Sequence, residues 1–180
     1  MNEILKAMKE RRSIRKFKAE MPKKADLEQI VEAGLYAASG KGQQAAIIVA
    51  VTNKEVRDRL SKINSQIFNR QIGGGKEGFD PFYGAPAVLV ALGDKNWVTG
   101  IYDGTLVMGN MMLAAHSLGL GSIWIHRAKE EFETEEWKQF LKDLGVEGEW
   151  EGIGHCAVGY MDCELPAVPK RKEGRVFWVE

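Results

Sequence analysis

The sequence predicts a single domain built from both helices and strands, and three observations support this class of fold. The chain has 180 residues, enough for one domain with a sizeable core. Apolar residues recur at one-turn spacing in some segments and form short continuous runs in others, which is typical of helices and of buried strands. The two kinds of segment alternate without an internal repeat, a low-complexity stretch or a linker. We therefore expect residues 1–180 to form one domain.

The composition argues against several classes of protein. The 25 Lys and Arg residues balance the 25 Asp and Glu residues, so nothing global points to a nucleic acid or a membrane partner, and any anion site must be local. No apolar run reaches the length of a membrane span and the chain begins without a signal-peptide pattern, so we expect a cytoplasmic protein. Cys156 and Cys163 lack metal-ligand or redox spacing, so we interpret both as structural thiols and expect no metal site.

The first half of the chain is predicted to hold three helices and one strand. One-turn spacing of apolar residues predicts the helices, a continuous apolar run predicts the strand, and Asn53 can cap the third helix. The predicted elements are a helix over about residues 2–11, a helix over about 27–38, a strand over 47–51 and a helix after Asn53.

The middle of the chain is the predicted lid. Periodicity is lost from residue 64 to residue 82, and three glycines follow one another at 73, 74 and 75. We therefore interpret residues 64–83 as a lid.

The second half is predicted to hold three strands and two helices. Pro86 introduces a continuous apolar strand, and Thr134 can cap the last helix. The long helix is apolar around most of its circumference, which indicates burial in the core or at a dimer interface. The elements are a strand over 87–92, a helix over 101–118, a strand over 122–125, a helix after Thr134 and a strand over 154–160.

The most informative motif is the basic run at residues 11–17, directly after the first helix. Arginine offers a planar fork of donors that matches phosphate oxygens, and Ser13 adds a neutral donor. Taken alone, such a run is more often a solvated surface. Four other motifs accompany it along the chain, at residues 39–44, 84–86, 119–122 and 169–172.

In this order the five motifs resemble the FMN-dependent nitroreductase family. Alternating helices and strands alone would favour a parallel, doubly wound sheet. The resemblance implies instead an α+β fold with a mostly antiparallel sheet between helices. It also implies an obligatory homodimer with FMN at its interface and a C-terminal extension packed on the partner, which would cover the apolar residues 176–179.

The resemblance also assigns residues to the cofactor. It implies that the basic run and the tail bind the phosphate, and that a loop from the second subunit binds the ribityl chain and the ring. It also implies that the turn after residue 125 lies at the N5 edge of the flavin. Arg15 is left to face the N1/C2 pole of the ring, where a fixed cation stabilises the anionic reduced flavin. The predicted cofactor-binding residues are Arg11, Arg12, Ser13, Arg15, Ser39, Gly40, Gln43, Gln44, Gly121, Ser122, His126, Arg127, Lys170 and Lys172.

Two of these segments depart from the family pattern. Some relatives have an acidic residue and a glycine where His126 and Arg127 stand, which changes the charge beside the flavin. Relatives often have Asn at Gly42 and Pro-Trp at residues 45–46. The paired amides of Gln43 and Gln44 can still match the pyrimidine edge of the ring.

No side-chain catalyst is identified, and none is required if a flavin carries the electrons. We interpret His116 and His155 as core histidines, because neither has a paired carboxylate or metal-ligand spacing. Asp103 can cap the long helix or bind a partner group.

The predicted function is an FMN-dependent oxidoreductase that passes electrons from NAD(P)H to a small-molecule acceptor, such as a nitroaromatic or a quinone, by a ping-pong mechanism. Three alternatives remain open: a relative with another flavin reaction such as reductive dehalogenation, a flavin-binding protein for storage or sensing, and an anion-binding domain without flavin.

Overall fold

An antiparallel sheet organises the computed structural model, which describes residues 2–73 and 78–180. Within these residues the helices are α1 (Glu3–Glu10), α2 (Lys24–Leu35), α3 (Lys54–Gln71), α4 (Gly100–Ser117), α5 (Ala128–Phe132) and α6 (Glu135–Asp143). The strands are β1 (Ala46–Val51), β2 (Ala87–Asp94), β3 (Gly121–Ile125) and β4 (Trp150–Gly159). Asn53 and Thr134 cap α3 and α6 with their side chains, as predicted.

The four strands lie in the order β1-β2-β4-β3, and each neighbouring pair is antiparallel. The prediction of an α+β fold with an antiparallel sheet is therefore confirmed, and the parallel sheet suggested by alternation is not formed. One apolar cluster packs α3, α5 and α6 on one face of the sheet, and a second packs α2 and α4 on the other. Because both faces are covered, β2 reads as a continuous apolar run, a pattern more typical of parallel sheets.

The first part of the predicted lid, from Asn64 to Gln71, is helical and belongs to α3. Sequence periodicity failed here because the buried face of α3 is partly polar and carries Arg57, Ser61 and Asn64. Residues 74–77, which include two of the three glycines, lie outside the described residues. Helix α5 was not predicted, and α2 ends at Leu35 rather than reaching residue 38.

The segment from Ser13 to Lys18 joins the basic run to the sheet. The Ile14 amide donates to the Ser122 carbonyl at 3.0 Å, and the Lys18 amide donates to the Tyr160 carbonyl at 2.9 Å. These bonds tie the residues after α1 to the start of β3 and to the residue that follows β4.

The two cysteines differ in their surroundings. Cys156 is buried in β4, and burial raises the pKa of its thiol to about 12, so it stays protonated at neutral pH. Cys163 is exposed, so the prediction of a structural thiol is wrong for this residue. Within the described ranges no helix has the length and apolar character needed to cross a membrane. The same residues contain no group of three His, Cys, Asp or Glu side chains arranged for a metal ion.

Candidate functional site

A cleft of about 690 Å³ lies between the end of α1 and the C-terminal tail. The fold brings four of the predicted cofactor-binding residues together on its walls: Arg11, Arg12, Ser13 and Arg15. The opposite wall comes from residues 166–169 and Arg171. The concentration of cations in one concave site fits an anionic ligand.

Arg12 ties the two walls of the cleft together. Its Nη1 donates to the carbonyls of Lys9 and Arg11 at 2.7 and 2.6 Å, and its Nε donates to the Ala167 carbonyl at 3.3 Å. Much of the hydrogen-bonding capacity of this guanidinium is therefore used to hold the tail against α1.

Arg11 is the strongest candidate for a direct contact with an anion. Its Nη1 is buried and has no hydrogen-bond partner among the described residues. A buried cationic donor left without a partner is costly, so this nitrogen fits an acceptor supplied by a ligand.

His116, in the last turn of α4, lies near the same cations. Burial lowers its pKa most, the Glu10 carboxylate opposes this, and the charges of Arg11 and Arg12 lower the pKa further. His116 is only half-buried, so the prediction of a core histidine is wrong for this residue.

The tail contributes to the cleft a residue that is not among the predicted cofactor-binding residues. Arg171 lines the cleft, whereas Lys170 and Lys172 do not. Both lysines are exposed, and the Lys170 ammonium lies 3.9 Å from the Glu173 carboxylate. The signal for Arg171 was present, because it stands between the two selected lysines in the same basic motif.

The predicted ring-binding loop is held at the other end of α4. The Gly40 amide donates to Oδ1 of the buried Asp103 at 3.1 Å, and the Gln44 amide donates to the Ser39 hydroxyl at 3.0 Å. Gln43 and Gln44 are left exposed. The loop therefore presents two exposed amide side chains from a backbone fixed to the first turn of α4.

The loop and the cationic cleft are far apart within one chain. Asp103 holds the loop, whereas His116 lies beside the cleft, and both belong to α4 (Gly100–Ser117). At 1.5 Å per residue, the separation of these residues along the helix is roughly 20 Å. One chain thus presents the two predicted halves of the site at opposite ends of α4.

The start of β3 supports the basic run from beneath. A Cβ at Gly121 would lie 2.7 Å from Met161 Cγ and 3.0 Å from Ile14 Cγ1, so only glycine lets the two segments pack this closely. Ser122 is buried, and its hydroxyl donates to the Met112 carbonyl at 3.4 Å. Contact of Gly121 and Ser122 with a cofactor stays a prediction.

At the other end of β3, Asn64 fixes the turn that holds His126 and Arg127. Its buried side-chain amide donates to the His126 carbonyl at 2.8 Å, and its Oδ1 accepts from Arg127 Nε at 3.0 Å. Arg127 has a φ of 79°, the left-handed region that glycine adopts most easily. This conformation agrees with the expectation from the family resemblance that some relatives have glycine at this position.

His155 is buried as predicted, but it does have a paired carboxylate. Its Nε2 lies 2.7 Å from Oε2 of the fully buried Glu131, and its Nδ1 lies 3.2 Å from the Ile125 carbonyl. The other oxygen of Glu131 accepts from Asn64, which links this pair to the turn at Arg127. Sequence spacing did not reveal the pair, because Glu131 belongs to the helix that was not predicted.

The fold and the cleft define an α+β protein with a cationic, concave binding site, and comparisons with known proteins agree with this class. The crystal structure of a nitroreductase with bound FMN from Bacteroides fragilis covers 100% of both chains at 29% identity, with a TM-score of 0.89. A nitroreductase with bound FMN from Desulfitobacterium hafniense also covers 100% of both chains, at 28% identity and a TM-score of 0.85.

A curated relative, the FMN reductase (NAD(P)H) of Bacillus subtilis, is 27% identical over 145 residues. The match covers 68% of this chain and 53% of the relative, so the chain spans about half of that protein's length. The model of the nitroreductase family matches residues 8–160. The chain therefore belongs to the nitroreductase family.

Proposed function

We propose that this protein is an FMN-dependent oxidoreductase that passes electrons from NAD(P)H to a small-molecule acceptor such as a nitroaromatic or a quinone. The observation that carries the proposal is the buried, unpartnered Nη1 of Arg11 in a cationic cleft of about 690 Å³. The family supports it, because the Bacteroides fragilis relative, which matches the chain over its full length, holds FMN.

The residues in and beside the cleft fit the poles of this cofactor. Arg11 and Ser13 would hold the phosphate with Arg171, Lys170 and Lys172 from the tail, and Arg15 would face the ring pole where negative charge develops. Bound FMN would supply the redox chemistry between reduced nicotinamide and a second substrate. The protein's own part is to bind the phosphate, orient the ring and offer one open face to the two substrates in turn.

A thiol has no part in this scheme. The raised pKa of Cys156 keeps its sulfur protonated inside the sheet, and Cys163 lies on the exposed tail. Turnover should therefore survive replacement of either cysteine by serine.

We infer that the complete site needs a homodimer. Helix α4 exposes Ile101, Tyr102 and Leu106, and the tail exposes Phe177 and Trp178 at 87% and 84% of their surface. Exposed apolar surface of this extent favours a partner. A second copy would also bring its 39–44 loop to the cleft, which the loop of the same chain does not reach.

The domain limits and the location in the cell remain as predicted from the sequence. We propose that residues 1–180 act as one FMN-binding domain and that the protein works in the cytoplasm.

The proposal is tested by the colour and kinetics of the purified protein. We expect a yellow protein that releases FMN on acid or heat treatment, and parallel double-reciprocal lines when NAD(P)H and a quinone are varied. Anaerobic stopped-flow absorbance measures flavin reduction directly. A colourless protein that does not take up FMN would refute the proposal, and bound FMN that NAD(P)H does not reduce would favour a storage or sensing protein.

A further inference from the structure

The guanidinium of Arg127 is fixed in place yet keeps its terminal nitrogens free. Its Nε donates to Asn64, and its central carbon lies 5.1 Å from the centre of the Phe68 ring. Among the described residues, neither terminal nitrogen has a hydrogen-bond partner and no carboxylate forms a salt bridge with the side chain. The part of the guanidinium that is suited to grip an anion is therefore unpaired among residues 2–73 and 78–180.

The position of Arg127 is determined by buried groups behind it. Asn64 is fully buried and donates to both the His126 carbonyl and Glu131. Glu131 in turn holds His155 in the core. A cation oriented by a buried network loses little conformational freedom when it binds a ligand.

An aromatic wall stands beside this cation. The rings of Phe68 and Phe79 lie 6.0 Å apart, and those of Phe79 and Tyr83 lie 5.9 Å apart in an edge-on arrangement. All three side chains are only partly buried, so ring surface is left for a flat apolar ligand.

Two nearby carboxylates, those of Glu131 and Glu130, act on the charge of Arg127 without forming a salt bridge with it. Burial lowers the pKa of Arg127, while the charges of Glu131, Glu130 and Tyr83 act in the opposite direction. An arginine retains its proton under these conditions, so a permanent cation faces the aromatic wall. Glu130 keeps its negative charge nearby, because its Oε1 accepts a hydrogen bond from the neutral Gln71 amide at 2.6 Å.

We propose that Arg127 binds the carboxylate of an aromatic electron acceptor, whose ring packs against Phe68. The inference rests on the proposed function, because the turn at His126 and Arg127 is predicted to lie at the N5 edge of FMN. A planar guanidinium grips the two carboxylate oxygens together, and the adjacent rings take the aromatic body. The protein would thus select aromatic acids over neutral aromatic acceptors of the same shape.

The test compares benzoate with benzamide, which have nearly the same shape but differ in charge. FMN-loaded protein is titrated with each compound, and binding is followed by the change in flavin absorbance and by calorimetry. We expect benzoate to bind about 10- to 100-fold more tightly than benzamide. Arg127→Gln should remove this preference when only flavin-loaded samples are compared, and Arg127→Lys should restore part of it, because an ammonium keeps the charge but not the fork.

Arg59 provides a matched control on α3. Its guanidinium also stacks on an aromatic ring, 5.3 Å from the centre of Trp137, but its Nη2 is already paired with Glu136 at 2.7 Å. Arg59→Gln should keep the wild-type preference for benzoate.

Three results would overturn the inference. The first is an equal affinity of the wild-type protein for benzoate and benzamide. The second is a preference for benzoate that survives in Arg127→Gln. The third is weaker binding of NADPH, with unchanged binding of benzoate, in Arg127→Gln. The last result would assign the cation to the phosphates of the electron donor. All three are measured on flavin-loaded protein and are therefore distinct from failure of the proposed function, which would appear as an absence of bound FMN.

Discussion

At the scale of single residues, Asp80 connects two segments of the chain through its hydrogen bonds. Its carboxylate accepts from the Arg57 guanidinium, the Ser61 hydroxyl and the amides of Phe82 and Gly84. Burial alone would raise the pKa of Asp80, but these hydrogen bonds outweigh it and hold the pKa below its ordinary value. Asp80 therefore fastens the turn before β2 to the polar face of α3.

We predict that Asp80→Asn lowers the free energy of unfolding by about 2 kcal/mol at neutral pH. Loss of a fully buried ion pair costs about 3–5 kcal/mol, and the Asp80 side chain is 29% exposed. Because the folded-state pKa is depressed, the carboxylate stabilises the fold above its unfolded-state pKa of about 4, and this contribution is lost as the pH falls through the folded-state pKa. Urea unfolding should therefore show the two proteins converging in acid.

Asp58 is the control for this experiment. Its pKa is also lowered, with the hydrogen bond from Lys54 as the main cause, but its side chain is 46% exposed. We expect Asp58→Asn to change stability by less than about 1 kcal/mol. A difference between wild type and Asp80→Asn that stays constant from neutral to acid pH would contradict the assignment.

At the scale of elements, α4 connects the two predicted halves of the site, which lie at its opposite ends. Its first turn holds the 39–44 loop through Asp103, and its last turns lie beside the cationic cleft. Asp103 is 3% exposed, and its Oδ2 has no hydrogen-bond partner among the described residues. Among the described residues, the hydrogen bond that this carboxylate accepts therefore comes from the loop and not from the helix.

We predict that Asp103→Ala weakens FMN binding about 10-fold, because the Gly40 amide loses its charged acceptor and the loop is no longer fixed. Thermal unfolding of the protein without FMN should change little. Asp103→Asn keeps an acceptor oxygen at the same place and should bind FMN almost as the wild type does. Fluorescence titration with FMN measures both variants, and wild-type affinity in Asp103→Ala would refute the role of this residue.

The elements also show what sequence patterns can predict. Helices with one apolar face and strands with continuous apolar runs were predicted within a few residues, because burial of one face imposes a regular spacing. The end of α3 was missed because its buried face carries Asn64 and Ser61 rather than apolar side chains. The shared site of the basic run and the tail was predicted, but not Asp103 as the anchor of the loop or Asn64 as the anchor of Arg127. Both act over more than 60 residues of sequence, a separation that no local pattern records.

At the scale of the whole molecule, the separated halves of the site lead to a complementation experiment. We predict that Arg11→Ala and Gln44→Ala each weaken FMN binding about 10-fold or more. If each site takes its cleft from one subunit and its loop from the other, mixing the two variants creates heterodimers with one intact and one doubly altered site. About a quarter of all sites should then bind FMN tightly.

The mixture is measured by FMN titration after subunits have been exchanged, with each variant alone as the control. An interface that supports such a dimer should bury more than roughly 2,000 Å². A mixture with no tight sites, or a monomer loaded with flavin in sedimentation, would exclude the shared site.

The connection between the two ends of the chain also has a consequence for biosynthesis. Arg12 bonds to Ala167 across 155 residues of sequence, and Lys18 bonds to Tyr160. The basic run therefore has only one wall of the cleft until residues 160–171 have been synthesised. If FMN binds in this cleft, we expect tight uptake to require a chain in which that segment has been made and has folded back onto α1.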